Sequence, residues 1–311
     1  KTMFQTTLIQ GVAQQEILIE SEASPALQGK VIVISGATSG IGFQAALRFA
    51  EQGCFVIGIG RSETRCQQAE TRIRAAKPEA AIYYVLADLS QQKQIRRAAD
   101  EIRHRLAMHG LHHVDILINN AGTYGAKLTY TEEGYERTLA VNHLAPFLLT
   151  HELLPLLKAS ADGHVLTVSS SSHYKTWLSV KRLNKPLLFN GLWAYKTTKL
   201  CNVLFTQAFN QHFADSGVRA YAVDPGLVNT NIGFKGTGWL SSFVWRFRQH
   251  QGSSPDVPVQ TMLRLACMEN QYNTSTHYWK DSKPKIPSIT ARNEKLAEEL
   301  WQASKRWCTI E

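Results

Sequence analysis

The sequence predicts a single α/β domain on a doubly wound, mostly parallel sheet, and three observations carry that expectation. From residue 30 onward, short runs rich in β-branched residues alternate with longer amphipathic runs. The short runs are apolar at nearly every position, the pattern of strands buried on both faces by flanking helices. A glycine-rich turn, SGATSGIG, joins the first short run to the first long one.

KVIVIS is the first strand, being short and β-branched, and GFQAALRFAEQ the first helix, being longer and mixed in polarity. CFVIGIG and RCQQAETRIRAA repeat the pair, AIYYVLAD and QQKQIRRAADEIRHRLA form the third, and VDILINN is the fourth strand. A helical stretch from Thr131 to about Lys158 comes next, then the strand GHVLTVSS. After a looser segment a helix opens near Ala194, and the strand VRAYAVD follows it. Neither a Gly/Ser-rich or Pro-rich linker nor a repeat of solenoid length divides the chain, so residues 30–311 are expected as one domain. Residues 1–29, where EILIESEASPALQG mixes weak strand character with turn residues, are expected as an appended arm.

A chain of 311 residues, 44% hydrophobic and 19% charged, has ample material for a buried core. No stretch approaches the roughly 20 apolar residues needed to span a bilayer, and KTMFQTTLIQ lacks the pattern of a secretory signal. The first residue is not Met, so a targeting segment could have been trimmed; the expected location is the cytoplasm or the periphery of a membrane. The five cysteines, Cys54, Cys66, Cys201, Cys267 and Cys308, have no zinc-site or dithiol spacing and read as reduced, mostly buried thiols. His143 and His173 have no metal-ligand partners at useful spacing, so no metal is expected. The formal charge is +9, but Lys and Arg are spread along the chain and acids are mixed into the densest run. No nucleic-acid partner is expected, and an anionic cofactor accounts for part of the charge.

In SGATSGIG, Gly36, Gly40 and Gly42 lead from the first strand straight into a helix. Such a turn needs unusual backbone angles and lets the chain approach a pyrophosphate without a Cβ in the way; the helix start then offers free N–H donors. A glycine-rich turn alone is weak evidence, but this context points to dinucleotide binding. In AYKTTKL, Tyr195 and Lys199 lie four apart, on one face of a helix, so an ammonium there would favour the phenolate. Taken alone, that pair reads rather as decoration of a solvated face, as most such helical pairs do.

The G-x-x-x-G-x-G spacing, NNAG at 119–122 and Y-x-x-x-K at 195–199 together resemble the short-chain dehydrogenase/reductase family. The resemblance covers about residues 28–230; the tail from HYWKDSKPK onward and the long insertion between Ser170 and Tyr195 are similar to its retinol-dehydrogenase-like branch. It implies a Rossmann-type fold, with Ser170, Tyr195, Lys199 and Asn142 as the catalytic group. Tyr195 would give or take the proton, Lys199 lower its pKa, Ser170 hydrogen-bond the carbonyl oxygen, and Asn142 organise a water linking Lys199 to solvent. Ser170 is taken from the run Ser169–Ser172 as the second of the first pair. The cofactor would lie against Gly36, Ser39, Gly40, Ile41 and Gly42, with Asp88 and Leu89 at the adenine. Asn119, Ala121 and Gly122 would line the cleft, as would Tyr195, Lys199, Pro225, Gly226, Val228 and Thr230.

The second strand ends IGIGRSETR, with Arg61 where an NAD site would carry an acid, which favours NADP; Glu63 nearby leaves NAD open. Trp177, Leu178, Leu188, Phe189 and Trp193 are candidates for a pocket wall. A substrate-covering segment at about 226–252 is rich in apolar residues, among them Phe234, Trp239 and Phe243, with Arg246 and Arg248 suited to lipid headgroups. The expected activity is NADP-dependent hydride exchange with an apolar alcohol, ketone or aldehyde. The alternative is a catalytically silent protein that senses NADP. The family resemblance also allows a homodimer or homotetramer.

Overall fold

The computed structural model describes residues 24–228, 254–268 and 276–310. Residues 1–23 of the arm, Thr230 and most of the substrate-covering segment lie outside the described residues.

Eight strands form one sheet in the order β3-β2-β1-β4-β5-β6-β7-β8. They are β1 (Val31–Ser35), β2 (Phe55–Gly60), β3 (Ile82–Leu86), β4 (Ile116–Asn119), β5 (Gly163–Val168), β6 (Val218–Asp224), β7 (Tyr278–Lys280) and β8 (Lys283–Pro284). All pairings are parallel except β7 with β8. The helices are α1 (Gly40–Glu51), α2 (Glu63–Ala76), α3 (Gln92–Met108), α4 (Arg137–Leu139), α5 (Ala145–Lys158), α6 (Gly191–His212), α7 (Asp256–Ala266) and α8 (Glu294–Trp307).

The apolar runs become doubly buried strands because side chains alternate between two cores. Val31 and Val33 join Ile57, Leu117 and Val165 in the core shared with α3, α5, α6 and α8. Ile32 and Ile34 join Val56, Ile116, Ile118 and Leu166 in the core under α1, α2 and α7. Strand order reverses between β1 and β4, and a crevice opens there at the carboxyl ends of the strands.

Three local features differ from the sequence expectations. The helical stretch expected from Thr131 begins at Arg137, because Gly134 turns with φ +80° and Thr131–Tyr135 closes a backbone-bonded loop. Residues 24–29 of the arm dock on the domain: Leu27 is fully buried and Gly29 donates to Gly53 O. Strands β7 and β8 extend the sheet past the six runs that the alternation marks.

Candidate active site

The crevice is a cleft of about 1550 Å³ that runs along the strand ends from α1 and α2 to α6. Its floor at one end is the turn after β1. Gly36 and Gly40 adopt φ +69° and +57°, and Gly36 and Ala37 N–H both bond to Ile59 O. A Cβ on Gly42 would lie 2.3 Å from Gly36 O and from Asn120 Nδ2, so α1 packs on the turn only as glycine allows. Ser39 stands at the N-cap without capping the helix with its side chain, and the first turn carries no acid. The N–H groups and positive dipole end of α1 are therefore open to an anion.

Asn120 ties this turn to β4. Its amide donates to Ser35 O at 2.9 Å, while Asn120 N–H and Ala121 N–H both donate to Ser35 Oγ at 3.0 Å. Ser39, Gly40, Ile41, Asp88, Leu89, Ala121 and Gly122 all line the cleft, as does Arg61. Arg65 and Arg72 line it beside Arg61, whereas Glu63 does not. Arg65 and Arg72 stand seven apart on α2, two helical turns on one face, a spacing from which the sequence could have added them.

Asn119 is not brought to the cleft. Its amide donates to Thr150 Oγ1 of α5 at 2.9 Å, because alternation along β4 turns residue 119 toward that helix and leaves Asn120 to reach the phosphate turn. Gly42 acts by close packing beneath the turn rather than as lining.

At the other end, α6 starts from Asn190, whose Oδ1 accepts from Trp193 N at 2.9 Å. Tyr195 and Lys199 share its cleft face, with Nζ 5.7 Å from the phenol ring centroid. Lys199 is 3% exposed and donates to Val168 O at 2.9 Å, which docks the ammonium on the end of β5. Ser170 and Tyr195 both line the cleft, and Ser170 Oγ accepts from Ser172 N at 3.2 Å. Ser169 Oγ is taken up by Lys199 O, to which it donates at 2.8 Å. The loop after Ser170 is held by His173, whose Nε2 accepts from Ser288 N at 3.2 Å; Nδ1 therefore carries the proton toward Ser170 O, 2.8 Å away.

Asn142 sits in a π-helical turn, Ala140–Leu144, between α4 and α5, a distortion often found at functional positions. It is fully buried, accepts from Thr123 N at 2.7 Å, and donates to Thr123 O at 2.9 Å and Thr198 Oγ1 at 3.1 Å. Its side chain thus clips the loop after β4 to α6 one residue before Lys199.

The electrostatics reverse one expectation. Tyr195 is not lowered: burial pushes its phenol up to about 12, the charge of Asp224 adds to that, and the Ser170 hydrogen bond opposes it. Burial brings Lys199 down to about 8 against the raising influence of Asp224. Desolvation is the leading cause of both shifts.

The wall of the substrate end also differs from expectation. Val141, Tyr174, Leu192, Leu227 and Val228 supply its apolar side, with Pro225 and Gly226 beside them. Trp177 and Trp193 instead pair edge to face at 5.4 Å, Leu188 is exposed, and Leu178 packs on the core. Among the described residues no helix is long and apolar enough to cross a membrane.

Comparisons with known proteins agree with this fold. The family model for short chain dehydrogenase matches residues 30–237. Retinol dehydrogenase 12 of Mus musculus is 36% identical over 278 residues, covering 89% of this chain and 86% of its own. A crystal structure of a putative uncharacterized protein from Mycobacterium paratuberculosis superposes with a TM-score of 0.68 at 27% identity, over 92% of this chain and 96% of that one. The 3-ketoacyl-(acyl-carrier-protein) reductase of Brucella melitensis, complexed with NADH, gives 0.60 at 26% identity, over 81% of this chain and 96% of that one. With a phosphate turn, a Tyr–Lys pair and the sheet order in place, the chain belongs to the short-chain dehydrogenase/reductase family of NAD(P)-dependent oxidoreductases, and within it resembles the retinol dehydrogenases.

Proposed function

We propose that this protein is an NADP-preferring oxidoreductase that exchanges hydride with an apolar alcohol, ketone or aldehyde, with Tyr195 as the proton carrier. The observation that carries the proposal is one cleft holding an open helix N-terminus and Arg61 at one end, and Tyr195, Lys199 and Ser170 at the other.

The residues present fit a dinucleotide. Gly36 and Gly40 leave room for a pyrophosphate at the start of α1. Asp88 and Leu89, which line the cleft, would border the adenine, and Arg61 with Arg65 would supply cations for a ribose 2′-phosphate. Pro225, Gly226 and Val228, also in the lining, would flank the nicotinamide. When bound, the nicotinamide supplies or accepts the hydride.

The protein handles the proton. For reduction, Tyr195 donates from its phenol to the developing alkoxide; for oxidation, it must first lose that proton. Ser170 accepts from Ser172 N–H, so its own proton is free for the substrate oxygen or Tyr195. Lys199 places positive charge behind the phenolate as it forms. Asn142 holds α6 and the loop after β4 in register, which keeps that charge in place. Desolvation favours the loaded, proton-donating tyrosine near neutral pH. Val141, Tyr174, Leu192, Leu227 and Val228 suit an apolar substrate, and retinol in the name of a relative is a compound of that class.

A panel of carbonyls and alcohols assayed with NADPH and NADH by nicotinamide absorbance tests the proposal. NADPH should be consumed with at least one apolar carbonyl, and Tyr195→Phe should lower that rate by about 100-fold or more while NADPH affinity changes little. NADPH binding without turnover of any carbonyl or alcohol would favour the silent sensor instead.

A further inference from the structure

The substrate end of the cleft carries charge of one sign. Lys175, Lys196 and Lys280 line it, and the one acid in the cleft lining, Asp88, follows β3 at the opposite end. Each lysine stands beside a residue of the reacting end. Lys175 follows Tyr174 of the apolar wall and Lys196 follows Tyr195. Lys280 Nζ is 3.5 Å from Ser171 Oγ, and its Cε is 3.9 Å from where a Cβ on Gly226 would stand.

Among the described residues none of the three lysines forms an ion pair. The carboxylate nearest Lys280 in the sheet, Asp224, is 2% exposed and stays out of the lining. Its Oδ1 accepts from Gly226 N at 3.0 Å, and its Oδ2 accepts from the hydroxyls of Ser171 and Tyr278. No Asp or Glu occurs between Asp162 and Asp215, the stretch that supplies the loop after β5 and all of α6. Lys181, Arg182 and Lys185 of that loop are exposed as well. The potential over this end is therefore positive, and the apolar wall focuses it.

A dinucleotide does not account for these cations. Its phosphates belong at the turn after β1, whereas Lys280 is on β7, four strands away in the order β1-β4-β5-β6-β7, or about 19 Å at the usual strand spacing. The cations share their end of the cleft with an apolar wall instead, and an apolar body with one charged group matches both.

We propose that the substrate is an amphiphile, an apolar carbonyl compound or alcohol that also bears a carboxylate or a phosphate monoester, held by Lys175, Lys196 and Lys280 while its oxygen meets Tyr195 and Ser170. This names a substrate class for the oxidoreductase reading and rests on it. Lysines suit the task because a flexible ammonium meets either anion as a point charge.

The test uses substrate pairs that differ only in charge, medium-chain ω-oxo acids and their methyl esters, reduced with NADPH. kcat/KM should favour the acid by about tenfold, mainly through KM, and the preference should shrink as salt rises. Lys280→Gln, or Lys175→Gln with Lys196→Gln, should lower the acid-to-ester ratio about threefold or more, and Lys280→Arg should restore it. Binding read without turnover, by the fluorescence of NADPH on the protein, should be tighter for decanoate or decyl phosphate than for decanamide. Equal kcat/KM for acid and ester, or a ratio that the glutamine variants leave unchanged, overturns the proposal. Sedimentation with phosphatidylserine vesicles that the same variants abolish, without preference for the acid, assigns the lysines to a lipid surface and overturns it too. A protein that turns over no carbonyl or alcohol defeats the oxidoreductase reading, and the comparison of decanoate with decanamide still decides whether this end of the cleft selects an anion.

Discussion

Acid should loosen this protein through His143, the residue after Asn142 in the π-helical turn. Its ring is fully buried, and Nε2 lies 2.9 Å from Ser304 Oγ of α8. Ser304 Oγ itself donates to Leu300 O at 2.8 Å, so the hydroxyl proton is already spent and Nε2 donates to Ser304. Burial lowers the imidazole from 6.5 to about 4 despite help from Asn202. A folded pKa below the unfolded one means that stability from the neutral ring is complete above about pH 6.5. It is lost as pH falls toward about 4, where the folded protein takes up the proton too. At about 1.4 kcal/mol per pH unit, this histidine alone removes about 3 kcal/mol across that window, a large share of the stability of a typical domain. Urea unfolding of wild type and His143→Leu at several pH values measures it. The variant starts less stable, since the contact to Ser304 is gone, but its stability should fall about 3 kcal/mol less between pH 6.5 and 4. Parallel pH profiles for the two proteins would refute the assignment of acid lability to His143.

Arg61→Ala should reduce kcat/KM with NADPH by about 10- to 100-fold and change that with NADH little, because one charge-assisted pairing to the 2′-phosphate is lost. Equal losses with both cofactors would place Arg61 outside the phosphate subsite. Gly42→Ala forces a Cβ to within 2.3 Å of Gly36 O and of the Asn120 amide, and the Gly36 backbone and an amide bonded to Ser35 O leave little room to yield. It should weaken NADPH and NADH alike by tenfold or more, or lower Tm by several degrees, as read by calorimetric titration and thermal unfolding.

Much of the fold was legible because period-two burial on both faces leaves a trace that few other arrangements produce: the runs from KVIVIS to VRAYAVD all became strands of one sheet. What escaped was short or set by tertiary contact. Tyr278–Lys280 is three residues long, too brief for periodicity to mark, and is held as a strand by Ala222–Asp224 alongside it. Within NNAG, spacing identified the turn but could not say which asparagine faces the cleft, since one residue of register exchanges the faces. Asp224 went unnoticed because DPG reads as a turn after a strand; only the folded chain brings Ser171 and Tyr278 to its carboxylate. The Tyr195–Lys199 pair shows the limit most sharply. An i, i+4 spacing dictates that phenol and ammonium share a helix face, and they do, with Nζ 5.7 Å from the ring. Spacing carries no information on the dielectric around that face. Desolvation there, with the charge of Asp224, raises Tyr195, the opposite of the sign that the pair alone would give it. The sequence therefore identifies which atoms meet, whereas the protonation state in which they meet belongs to the assembled site.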